Sequence, residues 1–129
     1  MEEGRGPSAG EFVFVNVSIL RLRATEDGQT LELLFAGRER QTIRYAGVLY
    51  TSFRERDRGL RIAVAQRLPP RDLLDPRHAR ARLRMLRDGL WDAPELVARA
   101  ERTGCSLYLH YVGEADEYPV LAREGILEG

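Results

Sequence analysis

The chain has 129 residues, with twenty basic and twenty acidic side chains, so its formal net charge is zero. At 43% hydrophobic and 31% charged residues it suits one folded domain and not an extended disordered segment. The single cysteine, Cys105, excludes an internal disulfide framework and a cysteine-rich zinc site within one chain.

No apolar run approaches the ~18–20 residues of a membrane span. Met1-Glu2-Glu3-Gly4 lacks the basic-then-apolar order of a secretory signal. A cytoplasmic location is the expectation. Residues 1–10, rich in Gly, Pro, Ser and Glu, read as a flexible tail, and residues 11–129 as one domain.

From Glu11 the pattern is extended. Val13, Val15, Val17 and Ile19 alternate with Phe12, Phe14, Asn16 and Ser18. After Ile19 the apolar phase moves by one, to Leu20 and Leu22, which requires a bulge or a change of face. Asp27-Gly28 marks a turn. Thr30 to Ala36 alternates through Leu31, Leu33 and Phe35, and Gly37-Arg38-Glu39 is a second turn. Gln41–Tyr45 and Val48–Arg54 read as strands, with Gly47 as a break or bulge between them. Arg58-Gly59 turns the chain into a run in which Leu60, Ile62 and Val64 alternate with Arg61, Ala63 and Ala65. Strands spaced this closely leave no room for crossover helices, so antiparallel pairing is expected.

Past Pro69-Pro70 the period changes. Asp75-Pro76 suits a helix start, with Asp as the N-cap and Pro at the first helical position. Ala79, Leu83, Leu86 and Leu90 follow at steps of four, three and four and predict the buried stripe of a helix over 76–88. Gly89 fits a left-handed C-cap. Asp92 with Glu95 three residues on gives a second helix start, with Leu96, Val97 and Ala100 on one face and Gly104 as its end. Cys105 to Val112 alternates again, and Tyr118 to Ala122 makes a last strand after an acidic turn. The expected fold is α+β: a mostly antiparallel sheet made of an N-terminal meander of about five strands, two short helices, and a C-terminal β-hairpin packing back on the sheet.

The neutral total conceals an uneven distribution. All twenty basic residues are arginine. Residues 1–37 carry three Arg and six acids, residues 38–87 fourteen Arg and five acids, and residues 88–129 three Arg and nine acids. A basic middle between acidic ends suits an anionic partner, ends that fold against the middle, or two copies pairing basic to acidic. On a helical wheel Arg77, Arg80, Arg84 and Arg87 fall together beside the apolar stripe. With Arg54, Arg56 and Arg58, at what reads as a hairpin tip, they are the candidate anion- or partner-binding set.

Glu55 and Asp57 interleave the second cluster. The helix brings neither base-reading amides nor stacking aromatics, so nucleic-acid contact through 76–88 would be sequence-independent. Glu114, Asp116 and Glu117 near His110 lack the spacing of a calcium loop and read as a solvated turn. His78 reads as exposed, Cys105 as a buried structural thiol, and Trp91, Tyr108 and Tyr118 as packing residues that could anchor a partner if exposed together. No phosphate loop, dinucleotide fingerprint, nucleophile elbow or zinc-protease motif is present, and no cofactor or metal is expected. The expected function is a small non-catalytic domain that binds a protein partner or a copy of itself. Sequence-independent RNA or DNA binding is the alternative, and an enzyme with a pocket assembled from distant segments is the third reading.

Overall fold

The computed structural model describes residues 16–37, 40–113 and 116–128. The expected tail at 1–10 and the first half of the expected N-terminal strand lie outside these residues. Seven strands form one sheet: β1 (Val17–Ala24), β2 (Thr30–Ala36), β3 (Arg40–Thr51), β4 (Arg61–Ile62), β5 (Val64–Leu68), β6 (Ser106–Val112) and β7 (Asp116–Glu128). Two helices, α1 (Ala79–Arg87) and α2 (Ala93–Arg102), are inserted between β5 and β6.

Every strand pair is antiparallel, in the order β4-β1-β2-β3-β7-β6-β5. The two ends of that order are one stretch of chain. β4 pairs with β1 at Val17 and Ser18, whereas β5 pairs with β6 from Val64 to Leu68. Ala63 joins them: its N–H donates to the Tyr111 carbonyl at 2.9 Å, and its own carbonyl accepts from the Asn16 N–H at 3.4 Å. The segment 61–68 therefore bridges both edges, and the sheet curls into a near-closed barrel. This removes most of the exposed edge that an open sheet leaves for stray pairing.

Local chemistry explains the strand irregularities. The phase change after Ile19 is a β-bulge between Ile19 and Arg21. Gly47, at φ +63°, does not end its strand; β3 runs through it, with a second register shift between Val48 and Tyr50. The C-terminal hairpin departs from expectation. It does not pack back on the sheet but lies within it, with β7 hydrogen-bonded to β3 on one side and β6 on the other. The final strand is also longer than Tyr118–Ala122, because its far half completes the pairing of β3 from Ala46 back to Thr42.

The alternation of each strand divides the apolar residues into two layers. Ile19, Leu33, Phe35, Ile43, Tyr45, Phe53, Ile62, Tyr108 and Val120 are among those that fill the barrel. Tyr50, Leu107, Leu109 and Leu121 face outward and are covered by Leu73, Ala81, Met85, Leu96, Val97 and Ala100 from the helical insertion. The helix termini follow their signals. Asp92 accepts from the Glu95 N–H at 3.0 Å, and Leu90 closes back onto the Met85 carbonyl at 2.9 Å past the left-handed Gly89. Asp75 caps the Arg77 N–H at 2.8 Å, but the turn it starts is a 3₁₀ segment over 76–78, and the α-helix begins only at Ala79.

Inside the barrel, Gly125 leaves room for two tyrosine rings. A Cβ there would stand 2.9 Å from Tyr108 Cε1 and 3.0 Å from Tyr45 Cε1. Both rings are buried against their neighbours, so Gly125→Ala should cost about 1–3 kcal/mol through overpacking, read as a lower midpoint in chemical denaturation. An unchanged midpoint would contradict this packing.

Candidate functional site

The helix α1 sits the other way round from the expected amphipathic reading. Its buried residues are Ala81 and Met85, with His78 just before them. Leu83 is 49% and Leu86 37% exposed, and Ala79 is exposed too. The polar chemistry of the barrel rim sets this orientation. Glu117, at the start of β7, is buried beneath the helix and does not belong to a solvated turn. Its Oε2 lies 2.7 Å from His78 Nδ1, and its Oε1 accepts from the Ala81 N–H at 3.2 Å. His78 is accordingly buried, not exposed. A buried carboxylate needs such partners, and the His78–Ala81 side of the helix supplies them.

Arg84 strengthens the same contact. Its guanidinium lies 3.6 Å from the centroid of the Tyr118 ring, its Nε donates to the Glu117 carbonyl at 3.0 Å, and it pairs with Asp116 at 3.1 Å. Arg82 turns back to donate to the carbonyls of Leu73 and Asp75 at 2.8 and 2.7 Å. Of the candidate arginines on this helix, Arg84 is thus committed to the fold. Arg77 pairs with Asp75 at 3.0 Å and holds that carboxyl well below its ordinary range. Arg80 and Arg87 are exposed and have no partner among the described residues.

The second candidate cluster is also dispersed. Residues 55–57 form a 3₁₀ turn in which Asp57 is buried and accepts from the Arg54 N–H at 2.6 Å. The Arg54 side chain donates to the carbonyls of Thr51 and Phe53 and pairs with Asp88 at 3.0 Å. Asp88 also accepts from the Tyr50 hydroxyl at 2.6 Å, and burial, with this bond, pushes the Tyr50 phenol up. Arg58 pairs with Glu55 at 3.4 Å, and Arg56 remains exposed.

A wider pattern accompanies these contacts. Arg44–Glu128, Arg54–Asp88, Arg71–Glu101 and Arg84–Asp116 each join the arginine-rich middle to the acidic C-terminal third. Four of the fourteen arginines of the middle segment are therefore matched by the C-terminal third within one chain. Exposed pairs of this kind contribute ~0–1 kcal/mol each. Their weight lies in neutralising the surface.

Within the barrel, His110 is fully buried. Its Nδ1 stands 2.9 Å from the Tyr118 carbonyl, and its Nε2 2.5 Å from the Tyr45 hydroxyl. A carbonyl only accepts, so Nδ1 carries the proton and Nε2 accepts from Tyr45. The rings of Phe53 and Tyr45 meet the imidazole edge-on, at centroid distances of 4.9 and 5.7 Å. Burial lowers its pKa to about 4, partly opposed by the Tyr118 carbonyl. His110 is a neutral member of the core and lines none of the three clefts described. The largest of these, about 500 Å³, is formed by Ala46, Gly47, Thr103, Gly104, Arg123 and Glu124 at the α2–β6 turn. Cys105 is a buried thiol beside it, 3.4 Å from Thr103 Oγ1.

Trp91 completes the site. It stands beyond Asp88, Gly89 and Leu90 at the end of α1 and is 79% exposed, whereas Tyr108 and Tyr118 are buried. The three aromatics do not share a surface. At the helical end Leu83, Leu86 and Trp91 are exposed, as are Arg80 and Arg87. Stepwise periodicity found Leu83 and Leu86 but assigned them to the core.

Two consequences are measurable. Glu117→Ala should cost about 3 kcal/mol, because it strips both His78 and the Ala81 N–H of a buried acceptor, and Glu117→Gln should cost less. The unfolded chain takes up a proton at His110 near pH 6.5 and the folded chain only near 4, so this stability is present at neutral pH and is lost as pH falls from 6.5 to 4. The loss is on the order of 3 kcal/mol and should be missing from the pH profile of His110→Gln.

No protein-family model matches this sequence, and no curated protein does either. Among solved structures the chain is similar to one described as an uncharacterized protein from Neisseria gonorrhoeae, with a TM-score of 0.50 and 14% identity over 90% of this chain and 93% of that one. At that identity the likeness concerns the fold alone.

Proposed function

We propose that this chain is a non-catalytic binding domain and that its contact face is the outer side of α1 with Trp91. The observation that carries this reading is the outward placement of Leu83 and Leu86 on a helix whose other side is held down by Glu117 and Arg84. A leucine left in water forgoes part of the ~1.5–3 kcal/mol that full burial contributes. Contact with another polypeptide recovers it. An exposed Trp beside aliphatic side chains and Arg has the composition in which interface energy concentrates.

Binding of RNA or DNA through residues 76–88 remains the second reading, on the strength of Arg80 and Arg87. It is weaker than the sequence suggested, because Arg84 is bound to the barrel and Arg77 to Asp75.

A photoactivatable aromatic side chain in place of Leu86 should give a discrete polypeptide adduct in the native cell, lost when Trp91→Ala is added. The same group in place of Glu32, on the side of the barrel away from the helices, should give none. Nucleic-acid adducts, or equal yields from the two positions, would overturn the proposal.

A further inference from the structure

Resting on the contact face just described, we infer that its occupant is a second copy of this chain, docked about a twofold axis near Trp91. A twofold contact uses one patch twice, so that patch must complement itself. This one has the necessary pieces. Trp91 is flanked in the chain by Arg87 on one side and by Asp92 and Glu95 on the other, and all of them are exposed. In the proposed pair Arg87 of each copy meets Asp92 of its mate, and the exposed Leu83, Leu86 and Trp91 supply the apolar area. Arg87 has no partner among the described residues. Asp92 uses Oδ1 to cap α2 and has a second oxygen to offer.

Asp92 also disfavours other occupants. A nucleic-acid backbone or an anionic lipid surface would meet Arg80 and Arg87, but the exposed Asp92 carboxylate stands close to them in the chain, whereas Glu95 is already paired with Arg99 and Arg102. The zero net charge of the chain removes the long-range repulsion that keeps highly charged proteins apart. The apolar centre supplies affinity, and the charges set the register.

Charge reversal tests this directly in sedimentation velocity over a dilution series. The wild-type chain should reach the mass of a dimer. Arg87→Asp alone and Asp92→Arg alone should each weaken association by about tenfold or more, because each places like charges opposite one another twice. An equimolar mixture of the two variants should restore the dimer, since both contacts then join opposite charges. That restoration would also show that neither variant is misfolded, including Asp92→Arg, which loses a helix cap. Trp91→Ala should abolish the dimer in every combination.

A wild-type chain that stays monomeric at all concentrations overturns the inference. So does a dimer indifferent to Trp91→Ala, or a mixture no more associated than its components. A blue shift of Trp91 emission on anionic phospholipid vesicles, with no self-association, overturns it in favour of a membrane surface. If the chain is monomeric but the adduct at position 86 is a different polypeptide, the second copy is excluded and the contact face stands. If there is neither adduct nor dimer, the contact face fails as well.

Discussion

A single buried carboxylate decides which side of α1 the solvent sees. Glu117 enters β7 at the rim of the barrel with almost no access to water, so its two oxygens must be met by protein. His78 and the backbone of Ala81 meet them. Arg84 then lies over the Tyr118 ring and reaches Asp116. Once those contacts are made, the helix cannot turn its leucines inward. The small Ala81 and the pliable Met85 fill the space against Leu107, Leu109 and Leu121.

The barrel makes this arrangement possible. Closure through residues 61–68 gives the sheet an inside, filled by large aliphatic and aromatic side chains, and an outside that the helical insertion covers on one flank. The insertion between β5 and β6 supplies that cover with α2 and the inner side of α1. The inside is also where His110 and Tyr45 satisfy each other, with both imidazole nitrogens engaged. This explains why the most deeply buried histidine in the described chain is a structural element.

Local features were legible in the sequence because their causes are local. The shift of apolar phase after Ile19 foretold the bulge, Asp92 and Glu95 foretold a cap, and Gly28, Gly59 and Gly89 stand at turns with positive φ. The strand order was not legible. The pairing of Tyr45 with Gly125 joins residues eighty positions apart, and no short-range pattern encodes it. Nor was the facing of α1, because two stripes were available. Leu90 of the expected stripe does pack against the inner cluster, but Ala79, Leu83 and Leu86 outscore His78, Ala81 and Met85 on hydrophobicity, and hydrophobicity does not register a carboxylate waiting on the far side of the interface. The charge blocks were visible, but their meaning depended on folding, which pairs four arginines of the basic middle with the acidic third.

The helix α1 keeps Ala81 and Met85 inside, and in our proposal it offers Leu83 and Leu86 to another surface. Single cysteines placed in turn at positions 81, 83, 85 and 86, with the buried Cys105 as an internal reference, report this through their rates of reaction with a soluble thiol reagent. Labelling at 83 and 86 should be fast in dilute protein and slow as concentration rises, with protection at 81 and 85 throughout. Rapid labelling at 81 and 85 with protection at 83 and 86 in dilute protein would contradict this arrangement.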